Sequence, residues 1–237
     1  MRVHKYETHC HTSETSRCSL ICGADVVRYY HRLGYSGVCI TDHFFNGNTT
    51  VPSDISWEKR IALFTAGYKN AASEGERLGI TVCFGWEYTY QGADFLTYGL
   101  TDEWLLSHPD LMNWSLNEYL DRTRADGAFI VHAHPFREAG YIPMIHLNPG
   151  RVDAVEIKNA SMTDIVNDRA GWYAESYGLK PFAGSDMHSD GRPSLCGIKT
   201  SVRIAGIRDL IQAFIEGEYT IFEEKYNNRV GSHPLIE

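Results

Sequence analysis

Residues 5–12 read Lys5-Tyr6-Glu7-Thr8-His9-Cys10-His11-Thr12. The run reads as a β-strand that ends in side chains able to bind metal. A strand sends alternate side chains to opposite faces, so His9 and His11 share one face and Cys10 takes the other. The polar neighbours Thr8, Thr12 and Ser13 imply that this strand end meets solvent or a polar pocket. A same-face imidazole pair in that setting points to metal binding. Four more islands of this kind follow: Thr41-Asp42-His43, Glu87 with Asp94, His132-Ala133-His134-Pro135, and Ser185-Asp186-Met187-His188. By the same spacing, His132 shares a face with His134, and Asp186 with His188.

Working outward, strand-like and helix-like segments alternate along the chain. The strand-like runs are Gly37–His43, Ile80–Tyr90, Phe95–Leu100, Ala128–His134, Val152–Lys158, Lys180–Asp186 and Lys199–Ile204. The helical patterns cover Ala24–Leu33, Trp57–Leu78, Leu116–Ala125, Ile165–Tyr177 and Ile207–Glu216. Such alternation predicts parallel strands joined by crossover helices. About seven units favour a closed α/β barrel over an open sheet. The islands then fall at strand C-terminal ends, where barrel enzymes place their chemistry. Loops Phe44–Ser56 and Phe136–Gly150 leave that same end and are candidate pocket walls. No repeat or linker divides the chain, so residues 1–237 are expected to form a single domain.

The hydrophobic content of 43% suits a globular core. A net charge of −8 argues against a broad nucleic-acid footprint, yet leaves room for an anionic substrate, because bound cations reverse the local sign. No apolar run approaches membrane-spanning length. The start, Met1-Arg2-Val3-His4-Lys5-Tyr6, lacks the apolar stretch of a signal peptide, so a cytoplasmic location is expected. The six cysteines form no Cys-x-x-Cys pair and read as reduced thiols. His4, His31, His108, His146 and His233 read as structural or surface histidines.

The islands differ in what they disclose. His43 shares its face with Thr41, which makes it a candidate ligand. Asp42 either orients a ligand histidine from behind or caps a turn. Glu87 is either an ordinary strand-end carboxylate or a bridge between two cations. In the fourth island one histidine is expected to bind metal and the other to support it. Arg137 and Arg192 are candidate phosphate ligands.

Taken in order, Thr8-His9-Cys10-His11-Thr12, Thr41-Asp42-His43, Glu87, His134-Pro135 and Gly184-Ser185-Asp186-Met187-His188 resemble the motifs of the PHP family, named for polymerase and histidinol phosphatase domains. The resemblance runs from about Tyr6 to about Phe222. It implies a distorted (β/α)7 barrel, TIM-like in outline, and a phosphoesterase with two or three divalent metals, with Mn, Fe and Zn all suited to N/O ligands. On that pattern His9, His11, Glu87 and Asp186 hold one metal, and Glu87 bridges to a second held also by His134. Asp94 stands where the family usually has a further histidine and is the expected second-metal ligand in its place, by substitution. A third metal would use His43 and His188, but the aligned third position is Arg17, which cannot ligate a cation. Glu14, a water or the substrate would have to help, or Arg17 would serve as a phosphate ligand.

The expected chemistry is attack on phosphorus by a hydroxide made available near neutral pH by bridging metals. Arg17, Arg137 or Arg192 would offset phosphoryl charge, and His188, His43 or Asp42 would protonate the leaving oxygen. His132 and Glu14 would support the ligands from behind. A small phosphorylated molecule is the expected substrate. Two rivals remain: a metal-dependent amidohydrolase, for which Lys158 would have to supply the bridging lysine, and a non-catalytic metal-binding module.

Overall fold

The computed structural model describes residues 3–226; the signal-peptide reading of Met1-Arg2 and the surface reading of His233 lie outside them. Nine strands form one sheet, in the order β7-β6-β5-β4-β3-β2-β1-β8-β9. They are β1 His4–Cys10, β2 Gly37–Ile40, β3 Thr81–Tyr90, β4 Ala93–Tyr98, β5 Phe129–Ala133, β6 Ala154–Asn159, β7 Lys180–Gly184, β8 Ser194–Thr200 and β9 Thr220–Lys225. The helices are α1 Gly23–Arg32, α2 Trp57–Phe64, α3 Ala66–Leu78, α4 Asp102–Leu106, α5 Leu116–Ala125, α6 Asp164–Tyr177 and α7 Ile207–Glu216.

The first seven strands curl into a nearly closed barrel. Past the end of β7, Met187 bridges to Cys10, with His11 N donating to Met187 O at 3.0 Å and Met187 N to His9 O at 3.3 Å. β8 pairs antiparallel with the lower half of β1, and β9, which follows α7, pairs antiparallel with β8 at the sheet edge. The seven-unit barrel expected from the alternation is therefore present. The expectation of parallel strands throughout is corrected: β4 runs antiparallel to both β3 and β5. A two-residue turn, Gln91-Gly92, joins β3 to β4 with φ of 49° and 89°. Positive φ at both central residues is the hairpin geometry that matches strand twist, and a turn this short allows only antiparallel pairing.

Other differences are local. The single helix expected over Trp57–Leu78 divides at Thr65, whose hydroxyl donates to Ile61 O at 3.0 Å and competes with the helical ladder. The last expected strand, Lys199–Ile204, lies earlier, as β8; α4 and β9 carried no sequence expectation.

The barrel interior is layered. Tyr6, Leu96, Tyr98, Phe129, Val131 and Phe182 fill its lower part, and Leu210 and Phe214 of α7 plug the base. Phe214 packs against Tyr98, Phe129 and Phe182 with ring centroids 4.9–5.8 Å apart. Deleting a ring so enclosed typically costs ~3–5 kcal/mol. Above this apolar layer lie Glu87, Asp94, Glu156, His9 and His11, all buried. Among the described residues no helix is long and apolar enough to cross a membrane.

Candidate metal centre

Strand parity decides which side chains reach the barrel mouth. In β3, Phe84, Trp86 and Tyr88 pack outward, so Glu87 points in. In β4, Leu96 and Tyr98 point in, and Asp94 with them. β1 needs a correction to its phase. Tyr6 faces the interior, so regular alternation would turn Cys10 inward and the histidines out. A register shift between Glu7 and Cys10, three steps against two on β2, reverses the phase. Cys10 consequently packs outward with α1, and its thiol donates to Cys39 O at 3.1 Å. His9 and His11 turn inward, their Nε2 atoms 3.2 Å apart.

The expectation that His132 and His134 share a face fails. His132, within β5, stacks on Phe95 at 4.8 Å and meets Tyr173 edge-on, on the outer side of the sheet. Burial and the neighbouring His134 push its pKa down to about 3, and neither ring nitrogen has a partner. His134 lies beyond the strand at φ 26°, which turns its ring into the cluster. Asp186 has φ 51°. Left-handed backbone at two non-glycine residues is strain of the kind that functional sites retain.

Glu87 is the hub. Its Oε1 lies 3.1 Å from His134 Nε2 and 3.4 Å from His9 Nε2. Its Oε2 lies 2.7 Å from His43 Nδ1 and 3.6 Å from His11 Nε2. Backbone pairing fixes this: Glu87 N donates to Asp42 O, and Phe44 N to Glu87 O. Asp186 Oδ1 sits 3.2 Å from His11 Nε2, 3.6 Å from His9 Nε2 and 3.5 Å from His188 Nδ1, while Oδ2 is 3.8 Å from His134 Nε2. Three sets of nitrogen and oxygen donors converge closely enough for a cation: His9, Glu87 and His134; His9, His11 and Asp186; and His11, His43 and His188.

Whether these residues fit a divalent ion is testable within the structure. Glu87 Oε2 and His43 Nδ1 are both buried, face each other at 2.7 Å and form no aligned hydrogen bond. Two lone-pair donors aimed at one point are what a shared cation would satisfy. Protons stand in when no cation is bound. Burial opposes charge on both carboxylates, yet His43, His9 and His134 hold Glu87 well below the usual carboxylate range, and His9, His11 and His134 do the same for Asp186. Burial likewise opposes charge on His9 and His134, but Glu156, Asp186 and Glu87 raise His9 well above 6.5, and the hydrogen bond to Glu87 with nearby Asp186 brings His134 up to about 9. His11 goes the other way, lowered by burial and by His43 and His188.

Two buried glutamates that the sequence reading passed over set the scaffold. Glu156 Oε1 lies 2.9 Å from His9 Nδ1, while Oε2 accepts from His134 N at 3.1 Å and Asn159 Nδ2 at 2.8 Å. Glu7 Oε1 accepts from the backbone N–H groups of Thr8, His9 and Ser185, and Oε2 from the hydroxyls of Tyr30 and Ser185, tying β1 to the Asp186 segment. Nothing marks Glu156 in its local sequence except an interior parity position two residues past inward Ala154, and Glu7, next to inward Tyr6, faces α1 and carries no mark at all.

Several expected residues take other places. Asp42 accepts from Thr12 N, Thr12 Oγ1 and Ser16 Oγ at 2.6–2.7 Å, and Ser16 in turn lies 3.3 Å from His11 Nδ1. It reaches a ligand histidine only through Ser16 and does not line the cavity, so the geometry gives it no leaving oxygen to protonate. Glu14 accepts from Gly23 N at the start of α1 and from Asn70, away from the cluster. Arg17 points out to Thr49 O; the neighbouring Cys18, not Arg17, lines the cavity beside His43 and His188. Burial alone would raise the Cys18 thiol, but contacts with His188 and His43 outweigh it and bring the thiol down to about 6. The described cysteines are all free. Asp94 is absent from the converging donor sets. Its Oδ1 accepts from Thr89, and its Oδ2 lies 3.9 Å from His134 Nδ1 and 3.6 Å from Arg137 Nη1. Burial and Glu87 raise it to about 6.

The cluster floors a cavity of about 720 Å³. Asn46, Gly47 and Asn48 of one expected wall loop and Arg137 and Tyr141 of the other line it. Arg192 lines it too and donates to Ser161 Oγ at 2.7 Å, its Nε buried without a partner.

No family model and no curated protein matches the chain. Solved structures do. A two-domain protein from Bacteroides vulgatus, described as containing a predicted PHP-like metal-dependent phosphoesterase, is 17% identical with a TM-score of 0.69; the match covers 93% of this chain and 65% of that one. PsfC from Pseudomonas syringae is 17% identical with a TM-score of 0.62, covering 96% and 93%. An amidohydrolase from Chromobacterium violaceum, solved with sulfate and no metal, is 13% identical with a TM-score of 0.54, covering 88% and 96%. The chain thus has the PHP-type barrel fold and spans just under two thirds of the first of these proteins.

Proposed function

We propose that the chain is a metal-dependent phosphoesterase acting on a small phosphorylated molecule. The observation that carries this reading is the split of Glu87, one oxygen toward His9 and His134 and the other toward His11 and His43. A carboxylate so placed is suited to bridging two cations. His9, His11, Glu87 and Asp186 would hold one ion, and Glu87 with His134 a second. When bound, such ions supply Lewis acidity and a nucleophile drawn from water near neutral pH.

The chain's own residues do the rest. Arg137 and Arg192 both line the cavity and would grip phosphoryl oxygens. Asp94 steadies the Arg137 guanidinium. Glu156 and Ser16 set the rings of His9 and His11 from behind. His188, about a quarter exposed at the cavity, is the group best placed to hand a proton to a leaving oxygen. Lys158 supports the amidohydrolase rival poorly, because its Nζ lies 4.0 Å from Glu223 Oε2 on β9 and not at the cluster.

The test is elemental analysis of the purified protein together with a panel of phosphate monoesters, diesters and amides. Metal-dependent turnover of a phosphate ester, lost with the metal in Asp186→Ala, is expected. Turnover of amides alone would replace this reading with the rival, and metal-loaded protein inert on every compound would favour the binding module.

A further inference from the structure

We propose that Cys18 is a thiolate ligand for a third cation, held together with His43 and His188. The inference rests on the metal-dependent reading of the cluster and concerns a residue that its sequence pattern leaves out.

The backbone holds Cys18 between the two histidines. On one side, Ser16 Oγ accepts from His43 N at 3.0 Å and donates to Asp42 Oδ1 at 2.7 Å. On the other side, Leu20 N donates to His188 O at 2.8 Å and Ser19 Oγ to the same carbonyl at 3.3 Å. The segment 16–20 is therefore stitched to the backbones of both histidines, with Cys18 at its middle. Arg17 alternates outward to Thr49, and Cys18 alternates in to the cavity wall.

A second observation points to a ligand there. His43 and His188 flank the His11 ring, each with centroids 4.3 Å from it, and the three offer nitrogen donors to one point. Glu87, only 1% exposed, aims its unpartnered Oε2 at the His43 side of this group. Cys18 Sγ is outside the closely converging donors and would close on them as the ion binds; a sulfur and two imidazoles are the donor types of a three-ligand zinc site. Thiolate among the ligands selects softer ions, so this position should prefer Zn2+ or Co2+ over Mn2+ or Mg2+. The negative sulfur also neutralises part of the ion's charge, a role no arginine could take.

Co2+ loading of the whole protein tests this without reference to turnover. The native chain should show a near-ultraviolet thiolate-to-cobalt charge-transfer band. Cys18→Ser should lose the band and about one cation per chain, with its far-ultraviolet dichroism unchanged. Cys18→His should regain the cation but not the band. Fully cobalt-loaded native protein without the band, or Cys18→Ser with the native stoichiometry and band, would overturn the assignment while leaving the two-ion reading intact. A protein that shows the Cys18-dependent band yet hydrolyses no phosphate ester would do the reverse.

Discussion

Glu156→Gln is the most informative single substitution, because it keeps the shape of the side chain and changes only what it can accept. The carboxylate takes His9 Nδ1 on one oxygen, and His134 N and Asn159 Nδ2 on the other. All three demand an acceptor if His9 is to keep its Nε2 lone pair for metal. Glutamine has one oxygen and one amide nitrogen. Its oxygen satisfies the backbone of His134 and the amide of Asn159 most economically, which turns the NH2 group toward His9. His9 Nδ1 must then accept, so the proton moves to Nε2, the atom that faces Glu87 and Asp186. A charge-assisted hydrogen bond is worth ~1.5–3 kcal/mol, which at ~1.4 kcal/mol per tenfold is a loss of roughly 10–100-fold in metal affinity. That agrees with what supporting carboxylates contribute to metal sites in general, about 10–100-fold. Competition against a fluorescent chelator at fixed pH measures it, with dichroism to show that the barrel is intact. Affinity within twofold of native would refute the claim that Glu156 sets the His9 tautomer.

Arg137→Ala should raise KM for a phosphorylated substrate by roughly 10–100-fold and move kcat far less, since the lost contact is a charge-assisted one in the cavity wall; steady-state kinetics with unchanged KM would remove Arg137 from the binding role. Gly184→Ala should destabilise the metal-free protein by ~1–3 kcal/mol in urea, because an added methyl collides with His9 Cβ and comes within 2.8 Å of Glu156 Oε1; an unchanged midpoint would mean that the pair relaxes freely. In metal-free Cys18→Ser protein, used because the Cys18 thiol titrates with the opposite sign, melting temperature should fall between about pH 6.5 and 9. His134 is raised to about 9, and His9 is raised as well, so their contribution is complete below the unfolded value near 6.5 and is lost as pH climbs through the folded one. Metal affinity should rise over the same range as protons leave the ligands, so the gap between loaded and metal-free melting should widen. A metal-free melting temperature that climbs with pH would contradict the pairing described for these histidines.

Much of this was legible in the chain because parity is local. The inward setting of Glu87 follows from its outward-packed neighbours Trp86 and Tyr88, and that of Asp94 from inward Leu96 two residues on. Asp186 and His188 converge as their spacing suggested, although β7 ends at Gly184 and turns, not pleats, aim them. His134 shows the limit. Its spacing from His132 implied one shared face, but the strand stops at Ala133 and a single positive φ reverses the outcome. The orientation of β4 rested on Gln91-Gly92, whose glycine at the second turn position was a usable hairpin signal. Cys18 was not recoverable from spacing, since its partners lie 25 and 170 residues along the chain. Glu156 was hidden for a related reason: a carboxylate in mid-strand looks like a solvent-facing one until the barrel closes around it.

The extra residue in β1 carries a consequence for how this protein can change. Whether His9 and His11 look into the mouth depends on a count of peptide units between Tyr6 and Cys10, not on which side chains occupy them. Scanning β1 with alanine would report the histidines and miss the cause. Deleting one residue from that stretch, with every proposed ligand retained in composition, would swing both imidazoles toward α1 and bring Cys10 into the mouth. Length variation in β1 is therefore far more restricted than its composition suggests, and the metal chemistry is encoded there in chain arithmetic.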